Sequence, residues 1–531
     1  MSEKGFQGGF RQSMAWLHTW ASLVLSVVLY FVFVTGTVGY FNYEIDAWMT
    51  PELSTTQPAQ STQSMVEAGL RHLEREAPEA ERYLVSLPNE RQGKLLSVFA
   101  ALKEENAKGE RRYRAKVDPV TSETAIIRDT GGGDALYRMH YLLHYMPRIA
   151  GRYLVGVATL FMLLAIVTGI VVHKKIFKDF FTLRLHKGQR SWLDSHNLSS
   201  VLALPFMLMI TYSGLLFYTF DYSPGVAVMS MGISQETRTE MVAHLRPGLE
   251  SIEPSGQPAE GLSLAAPIAA VESLWGEDQI RFVELSLPGD AAARIRIGRH
   301  QRVVERSNSS QYFDAATGVA LAPIPAMPSD AVFQNVFLGL HEGRFATYPL
   351  RWLYFFTGLL GAAMIATGLL LWASKRRARL GGKPAPASLL FVERTNISII
   401  VGLPIGVAVY FWANRLLPLA LEHRAAWEMN CLFIAWGLCF MHAGAREQAR
   451  AWREQVSALA VLFLLLPVVN GLTTSGNLFT YISQGDWVRA SFDLTAIATG
   501  ICLCLIYPRL PTSARVSNAG TGTAFNAKAE V

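Results

Sequence analysis

The apolar residues of this chain are gathered in long runs, and the polar residues lie mainly between them. Eight runs reach or approach the ~20 residues that an α-helix needs to cross the ~30 Å hydrocarbon layer of a bilayer. We therefore expect an α-helical polytopic membrane protein with about eight transmembrane helices. The first run is too long for a signal-peptide core and no small-residue cleavage site follows it, so we expect a retained anchor. The predicted spans are residues 14–41, 149–172, 196–220, 348–372, 396–420, 425–443, 455–472 and 489–507.

Lysine and arginine near the span ends predict the orientation of the chain. Basic connections follow the second, fourth and sixth predicted spans, at residues 174–190, 374–383 and 445–453. Because they alternate consistently, we expect these connections and both termini in the cytoplasm, and the two long polar segments outside. The predicted segments are 1–41 (first span), 42–134 (first exported module), 135–220 (second and third spans with their connector), 221–330 (second exported module), 331–375 (fourth span and its preceding helix), 376–395 (basic linker), 396–507 (four further spans) and 508–531 (a disordered cytoplasmic tail).

Charge and cysteine content narrow the picture further. The net charge of +6 follows from the topology, and no basic patch with interleaved aromatic residues is present, so we expect no nucleic-acid partner. The four cysteines all fall inside predicted spans, so the exported segments are expected to lack disulfides.

An internal repeat organises the first 375 residues. His18 stands 18 positions before Gly36, and His196 stands 18 positions before Gly214. A small hydroxyl residue precedes each glycine. In the companion spans, Arg152 and Arg351 each stand 17 positions before a glycine that follows threonine, and a Leu-His pair lies upstream of each arginine. These second-set residues are Gly169, Gly368, His144 and His341.

The exported segments repeat as well. Residues 117–123 and 312–320 both predict a strand, an Asp-led turn and a second strand. Helix-like stretches precede them at 65–77 and 266–275. The unit is thus span, exported α+β module, span, used twice in one orientation, which predicts two halves related by an axis along the membrane normal. Residues 390–531 do not repeat this unit and form an extension.

The repeat predicts two histidine pairs. His18 and His196 lie one turn inside the cytoplasmic ends of their spans, while His144 and His341 lie at the opposite face. A two-fold axis would bring each pair together in a four-helix core, which is a geometry that clamps a flat macrocycle between two imidazoles. We therefore expect two b-type haems, held without covalent attachment because no C-x-x-C-H motif is present.

Glycines and cations fit the same two levels. Gly36 and Gly214 are level with the outer histidines, whereas Gly169 and Gly368 are level with the inner ones, where a porphyrin would need a residue without a side chain. Arg152 and Arg351 are placed to bind the propionates of the outer haem. Arg11, Lys174 and Arg190 are candidates at the inner haem.

Simpler interpretations stay open. Small residues in spans commonly serve helix packing, and a histidine at a span end also fits the headgroup region. His173 is the rival ligand at the inner haem, and His140, four residues before His144, is the rival at the outer haem. The other histidines, among them His72, are expected to be solvated or interfacial.

The motifs resemble those of a known family. The Leu-His opening of the first span, the Ser/Thr-Gly pairs, the connector HKKIFKDFFTLR (173–184) and the Leu-His-x-Gly at 340–343 resemble the PepSY-associated transmembrane helix family, and the exported modules resemble PepSY domains. The resemblance implies an inner-membrane protein of Gram-negative bacteria with two b haems that reduces a ferric siderophore or similar chelate in the periplasm. It leaves the electron donor open between a quinol and a reductase.

Two other functions are compatible with parts of the sequence. Paired histidines in a helical bundle also suit a permease with proton coupling, although transporter sites usually lie near the midplane. Exported PepSY-like modules alone also suit a non-enzymatic protein that binds a peptide or a protease. The haem hypothesis accounts for the matched histidines, which the other two leave without a role.

Overall fold

The computed structural model divides the chain into two compact units. The helical unit comprises the chain to Pro51, Asp129–Leu215 and the chain from Thr347, and the sheet unit comprises Glu52–Arg128 and Leu216–Ala346. Lys174, most of the basic connector and nearly all of the predicted tail lie outside the described residues. The structure describes residues 9–53, 60–88, 91, 94–105, 110–173, 183–184, 188–218, 252–259, 261–301, 303–306, 310–321 and 328–510.

The sheet unit is built from two similar sets of elements. Each set is a helix followed by three strands, and the strands form one antiparallel sheet of order β3-β2-β1-β4-β5-β6. The helices predicted at 65–77 and 266–275 are present. The bounds are α4 Thr62–Glu76, β1 Ala80–Ser86, β2 Leu96–Leu102, β3 Arg112–Val117, α8 Ala265–Trp275, β4 Ile280–Ser286, β5 Arg294–Arg299, β6 Ser310–Asp314 and α9 Ser329–Glu342.

The two sets meet at the centre of the sheet, where β1 pairs with β4 and Leu84 lies opposite Glu284. Each set ends in the predicted Asp-led turn. The carboxylate of Asp118 accepts from the N–H of Thr121 at 3.2 Å, and that of Asp314 accepts from the N–H of Thr317 at 2.8 Å. These hydrogen bonds hold the two turns in the same form. The hydroxyl of Thr317 also donates to Asp314 at 2.7 Å, and this bond together with the N–H bond lowers the pKa of the Asp314 carboxyl.

Helices α4 and α8 cover one face of the sheet. Side chains alternate between the two faces of each strand, and apolar strand residues such as Val85 and Ile295 are fully buried. His72 of α4 is also fully buried, and its ring nitrogens bond to the carbonyl of Ser122 and the hydroxyl of Tyr113. The expectation that His72 is solvated or interfacial is therefore wrong, because both polar atoms of its ring find partners inside the core.

The helical unit contains the apolar helices. Its elements to residue 216 are α1 Phe10–Val24, α2 Ser26–Gly39, α3 Asn42–Met49, α5 Gly132–Leu142, α6 Arg148–Val172 and α7 Gln189–Leu216. The later ones are α10 Tyr348–Ala378, α11 Ala387–Ile400, α12 Gly402–Leu416, α13 Arg424–Ala445, α14 Gln448–Thr473, α15 Leu478–Ser483 and α16 Trp487–Ile506, with a 3-10 turn at Tyr507–Arg509.

The first apolar run is not one straight helix. Helices α1 and α2 meet at Leu25 with a bend of 63°. The hydroxyl of Ser22 donates to the carbonyl of His18 at 2.6 Å, and that of Ser26 donates to the carbonyl of Leu23 at 2.9 Å. Serine hydroxyls that bond back to carbonyls of the preceding turn favour such bends, which hydropathy alone does not reveal.

Among the described residues, six helical segments are long and apolar enough to cross a membrane, and the bent pair of α1 and α2 makes a seventh if it is one span. The chain is thus a multi-pass helical membrane protein. The span predicted at 425–443 is a helix, α13, but it is not one of these segments, and it contains Arg424, Glu428 and His442. The count of eight spans stays a prediction.

Candidate functional site

Two histidines from different helices face each other in the helical unit. His18 lies on α1 and His196 on α7, and their ring centroids are 6.5 Å apart with 60° between the ring planes. A metal–imidazole bond is about 2.0–2.1 Å, so two imidazoles on opposite sides of one metal ion would have centroids roughly 6.3 Å apart. The observed separation therefore suits two axial ligands of one iron.

Each of these histidines is fixed by the backbone of another helix, α6 for His18 and α10 for His196. Nδ1 of His18 lies 2.8 Å from the carbonyl oxygen of Ala165, and Nδ1 of His196 lies 2.9 Å from that of Met364. A carbonyl only accepts, so Nδ1 carries the proton and donates in both cases. The Nε2 atom is then the one free to bind a metal, in the way that backbone carbonyls orient many metal-binding histidines.

The local sequence around each carbonyl explains why a histidine fits there. Four residues after Ala165 comes Gly169, where a Cβ would lie 3.2 Å from Cε1 of His18. Four residues after Met364 comes Gly368, where a Cβ would lie 3.3 Å from Cε1 of His196. Glycine thus lets the imidazole approach the helix closely enough to reach the carbonyl.

A threonine precedes each glycine, and its hydroxyl completes the arrangement. Thr168 Oγ1 lies 3.3 Å from Nδ1 of His18, and Thr367 Oγ1 lies 3.4 Å from Nδ1 of His196. We call the set of carbonyl, hydroxyl and glycine at positions i, i+3 and i+4 a histidine cradle.

A third histidine occupies the same kind of cradle. Nδ1 of His140, on α5, donates to the carbonyl of Val32 at 2.8 Å, and a Cβ at Gly36 would lie 2.6 Å from its Cε1. Thr35 stands between them in the sequence and donates to the same carbonyl at 3.3 Å. Burial lowers the pKa of His140, opposed by the hydrogen bond to Val32, so burial favours the neutral imidazole that binds metals.

His144 lies elsewhere. Its ring is exposed and stacks on Phe433, with centroids 5.5 Å apart and 14° between the planes. The position against Gly36, which the sequence pattern aligned with His144, is occupied by its rival His140. The reason is that α5 ends at Leu142, so His140 lies in its last turn whereas His144 lies beyond it.

The fourth repeat position has the same sequence features. In α7 the hydroxyl of Ser213 donates to the carbonyls of Met209 and Ile210, at 2.7 and 3.3 Å, and the buried Gly214 follows. His341 lies in the last turn of α9, in the sheet unit, where its ring makes an edge contact with Phe217 at 5.2 Å.

A cavity of about 360 Å³ opens beside His18 and His196. Gly169, Gly368 and His173 line it together with mainly apolar side chains. This size and lining are typical of cofactor sites, and the two Nε2 atoms would hold a haem iron. The rival ligand His173 thus lines the same cavity, but His18 and His196 occupy the two cradles beside it.

The predicted cations have different surroundings. Arg351 is buried and its guanidinium lies 3.5 Å from the carboxylate of Glu44, so a protein carboxylate already neutralises it. Arg152 is half-buried on α6, one turn into the helix. Arg11 donates to the carbonyl of Val172 at 2.9 Å, and Arg190 is exposed at the start of α7.

The repeat predicts glycines that face a macrocycle, and it does not indicate the carbonyls that hold the histidines. The signal was present, because four Ser/Thr-Gly pairs recur at matched positions. Every residue has a backbone carbonyl. A Ser/Thr-Gly pair in the sequence therefore does not indicate that the carbonyl four positions before the glycine accepts from a histidine.

Comparison with known proteins places this arrangement in a family. The sequence model described as PepSY-associated TM region matches residues 15–375, which include the cradles of His18, His196 and His140. The chain is also similar to an uncharacterised protein of Pseudomonas aeruginosa, with 25% identity over 327 residues that cover 57% of this chain and 77% of the relative.

Proposed function

The chain belongs to the PepSY-associated TM family, and on that premise we propose that it is a b-type di-haem protein that carries electrons across the inner membrane of a bacterium. The observation that carries the proposal is the His18–His196 pair, whose ring separation of 6.5 Å and Nδ1 hydrogen bonds suit axial ligation of one haem. A proton-coupled permease would require no such matched separation.

At the inner site, defined as His18, His196, Gly169 and Gly368, the cradles fix both rings before any cofactor binds. Because the Nδ1–H groups are engaged with Ala165 and Met364, the neutral tautomer with a free Nε2 is selected. Haem bound there would supply one-electron transfer, and the apolar lining would exclude water from the iron.

At the outer site, defined as His140 and Gly36, we propose His140 as one ligand in preference to His144. Support comes from the identical use of a cradle at His140 and from the exposed, stacked position of His144. The second ligand that the sequence repeat predicts for this haem is His341, whose Leu-His pair precedes the fourth predicted span.

For the acceptor, we propose a ferric siderophore or another ferric chelate at the exported face. Ferric iron held by hard oxygen ligands is released on one-electron reduction, because the ferrous ion binds these ligands more weakly. The protein then needs only a path for electrons and an exported surface that binds the ferric chelate. The alternation of basic connections supports an exported location for the sheet unit, with both termini in the cytoplasm.

The proposal is tested on purified full-length protein. The haem-to-protein ratio should approach two, with both haems extractable by acidified organic solvent. Dithionite-reduced protein should be reoxidised faster by ferric hydroxamate, catecholate or citrate than by the iron-free chelators, and the His196→Ala variant should lose this difference. Protein without haem after expression with sufficient haem supply would refute the proposal, and equal rates with iron-free chelators would refute the acceptor.

A further inference from the structure

The C-terminal extension (residues 390–531, described to residue 510) contains a fully buried carboxylate, Glu428 of α13. Its Oε2 accepts from the hydroxyl of Thr130 at 2.6 Å and from the N–H of Gly131 at 3.2 Å. Its Oε1 accepts from the side-chain amide of Asn414 at 2.8 Å and from Arg424. A buried charge with this many partners is fixed in position, because loss of any partner would leave it uncompensated.

These contacts fall on the start of helix α5. The N-cap position of α5 is Gly131, which has no side chain to cap the first N–H groups. The caps are supplied from elsewhere: Glu428 accepts from Gly131, and Asp46 of α3 accepts from the N–H of Gly133 at 2.8 Å. A carboxylate at a helix N-terminus is also favoured by the helix dipole.

A second group of the extension binds the same turn. The hydroxyl of the buried Tyr410, on α12, donates to the carbonyl of Gly132 at 2.8 Å. Gly132 has a φ of +59°, a conformation that few residues other than glycine adopt at low cost. The extension therefore holds both the N–H side and the carbonyl side of the turn from which α5 begins.

Helix α5 transmits this position to His140. His140 stands eight positions after Gly132, and at 1.5 Å per residue this helical stretch is about 12 Å long. Helix α5 packs on α2, where the side chain of Tyr137 lies close against Gly39. A shift or rotation at the start of α5 would therefore change the distance from His140 Nδ1 to the carbonyl of Val32.

We infer that Glu428 and Tyr410 are positioning residues for the outer haem ligand His140, and that this is a function of the C-terminal extension. The inference rests on the proposed function, because it concerns the quality of ligation at the outer site. It does not extend to the inner site, where the cradles are formed by α6 and α10 and their histidines come from α1 and α7.

The test uses full-length protein in which one haem is observed at a time. In a His196→Ala background, which keeps the outer haem, Glu428→Gln and Tyr410→Phe should each shift the midpoint potential of that haem and broaden its low-spin electron paramagnetic resonance signal. In a His140→Ala background, which keeps the inner haem, the same two substitutions should leave potential and signal unchanged.

Glu393→Gln is the matched control. Glu393 is also a buried carboxylate of the extension, and it pairs with the guanidinium of Arg377. It should affect stability without altering the outer haem. Tyr410→Phe, which removes one hydroxyl, decides the matter if Glu428→Gln does not fold. The inference is overturned if the midpoint potential of the outer haem does not shift. It is also overturned if the potential shifts equally in both backgrounds or in the Glu393→Gln control. Protein without any haem would instead refute the proposed function.

Discussion

Gly36 lies directly against the imidazole of His140, so that a Cβ at residue 36 would lie 2.6 Å from Cε1 of the ring. Real Cβ atoms do not approach so closely, and the ring itself would have to move. Because the ring is held by a hydrogen bond from Nδ1 to the carbonyl of Val32, movement would break the contact that orients Nε2. The glycine is therefore a requirement of the histidine position.

Gly36→Ala should release His140 from its cradle and lower the haem-to-protein ratio from two toward one. The remaining haem should have the spectrum of the inner site. Gly437→Ala is the control, because Gly437 is also helical and a Cβ there would meet no atom within 4 Å. A full complement of haem in Gly36→Ala would show that the close approach of His140 is not needed for ligation.

The choice between His140 and His144 is tested by single substitutions. His140→Ala should remove one haem, since the ring against Gly36 is lost. His144→Ala should keep both haems, because its ring is exposed and rests on Phe433. Quantitation of haem in each variant decides between them. Loss of haem in His144→Ala alone would restore the assignment favoured by the repeat pattern.

The inner site has a parallel test. His18→Ala and His196→Ala should each remove one haem, since each ring contributes one half of the facing pair. His173→Ala should keep both, because His18 and His196 occupy the two cradles beside the cavity that His173 lines. If His173→Ala loses a haem and His18→Ala does not, the facing pair is not the ligand pair.

The sequence predicted more of the membrane helices and of the inner pair than of the outer site. Apolar runs and matched offsets between His18 and His196 follow directly from the chain, and the structure brings these two residues together. The displacement of His144 by His140 depends on where α5 ends. Helix ends vary by a few residues around any pattern, and both histidines lie on one helical face in sequence.

The role of the extension could not be found from sequence for a different reason. Glu428 and Thr130 are 298 residues apart, and neither belongs to a motif. A buried carboxylate inside an apolar run indicates only a weak interruption of a span, and α13, although 22 residues long, is not among the helices that are both long and apolar enough to cross a membrane. Only the folded chain shows that the carboxylate caps another helix.

The sheet unit allows a stability prediction that is independent of haem. Ser122 and Gly318 occupy matching places in the two Asp-led turns, with φ of +60° and +70°. Gly318→Ala should destabilise its turn by about 1–2 kcal/mol, the cost of a side chain in the left-handed region, since a Cβ there would also lie 2.7 Å from Oγ of Ser263.

Hydrogen exchange of the amides in β6 measures this effect, and the amides should exchange roughly tenfold faster in Gly318→Ala. Ser122→Ala is the control, because a Cβ is already accommodated at that position. Equal exchange rates in wild type and Gly318→Ala would show that the turn does not limit opening of the strand.

The threonine hydroxyls of the cradles should tune the inner haem. The proton of Thr168 Oγ1 is directed to the carbonyl of Leu164 at 2.7 Å, so its lone pairs face Nδ1–H of His18 at 3.3 Å as a weak second acceptor. Thr367 has the same relation to His196, with its own proton on the carbonyl of Ala363 at 2.7 Å. A hydrogen bond accepted from Nδ1–H makes the imidazole more electron-donating, and this stabilises the ferric state of a bound haem.

Thr168→Val and Thr367→Val should therefore each raise the midpoint potential of the inner haem. A weak hydrogen bond of ~0.5 kcal/mol corresponds to roughly 20 mV for a one-electron couple. Potentiometric titration of the variants in a His140→Ala background measures this shift. Thr159→Val is the matched control, because Thr159 lies on the same helix as Thr168 and its hydroxyl donates to the carbonyl of Val155. A fall in midpoint potential in Thr168→Val or Thr367→Val would mean that the threonine hydroxyl competes with the histidine for the carbonyl. A shift of the same size in Thr159→Val would show that the cradle hydroxyls do not tune the potential.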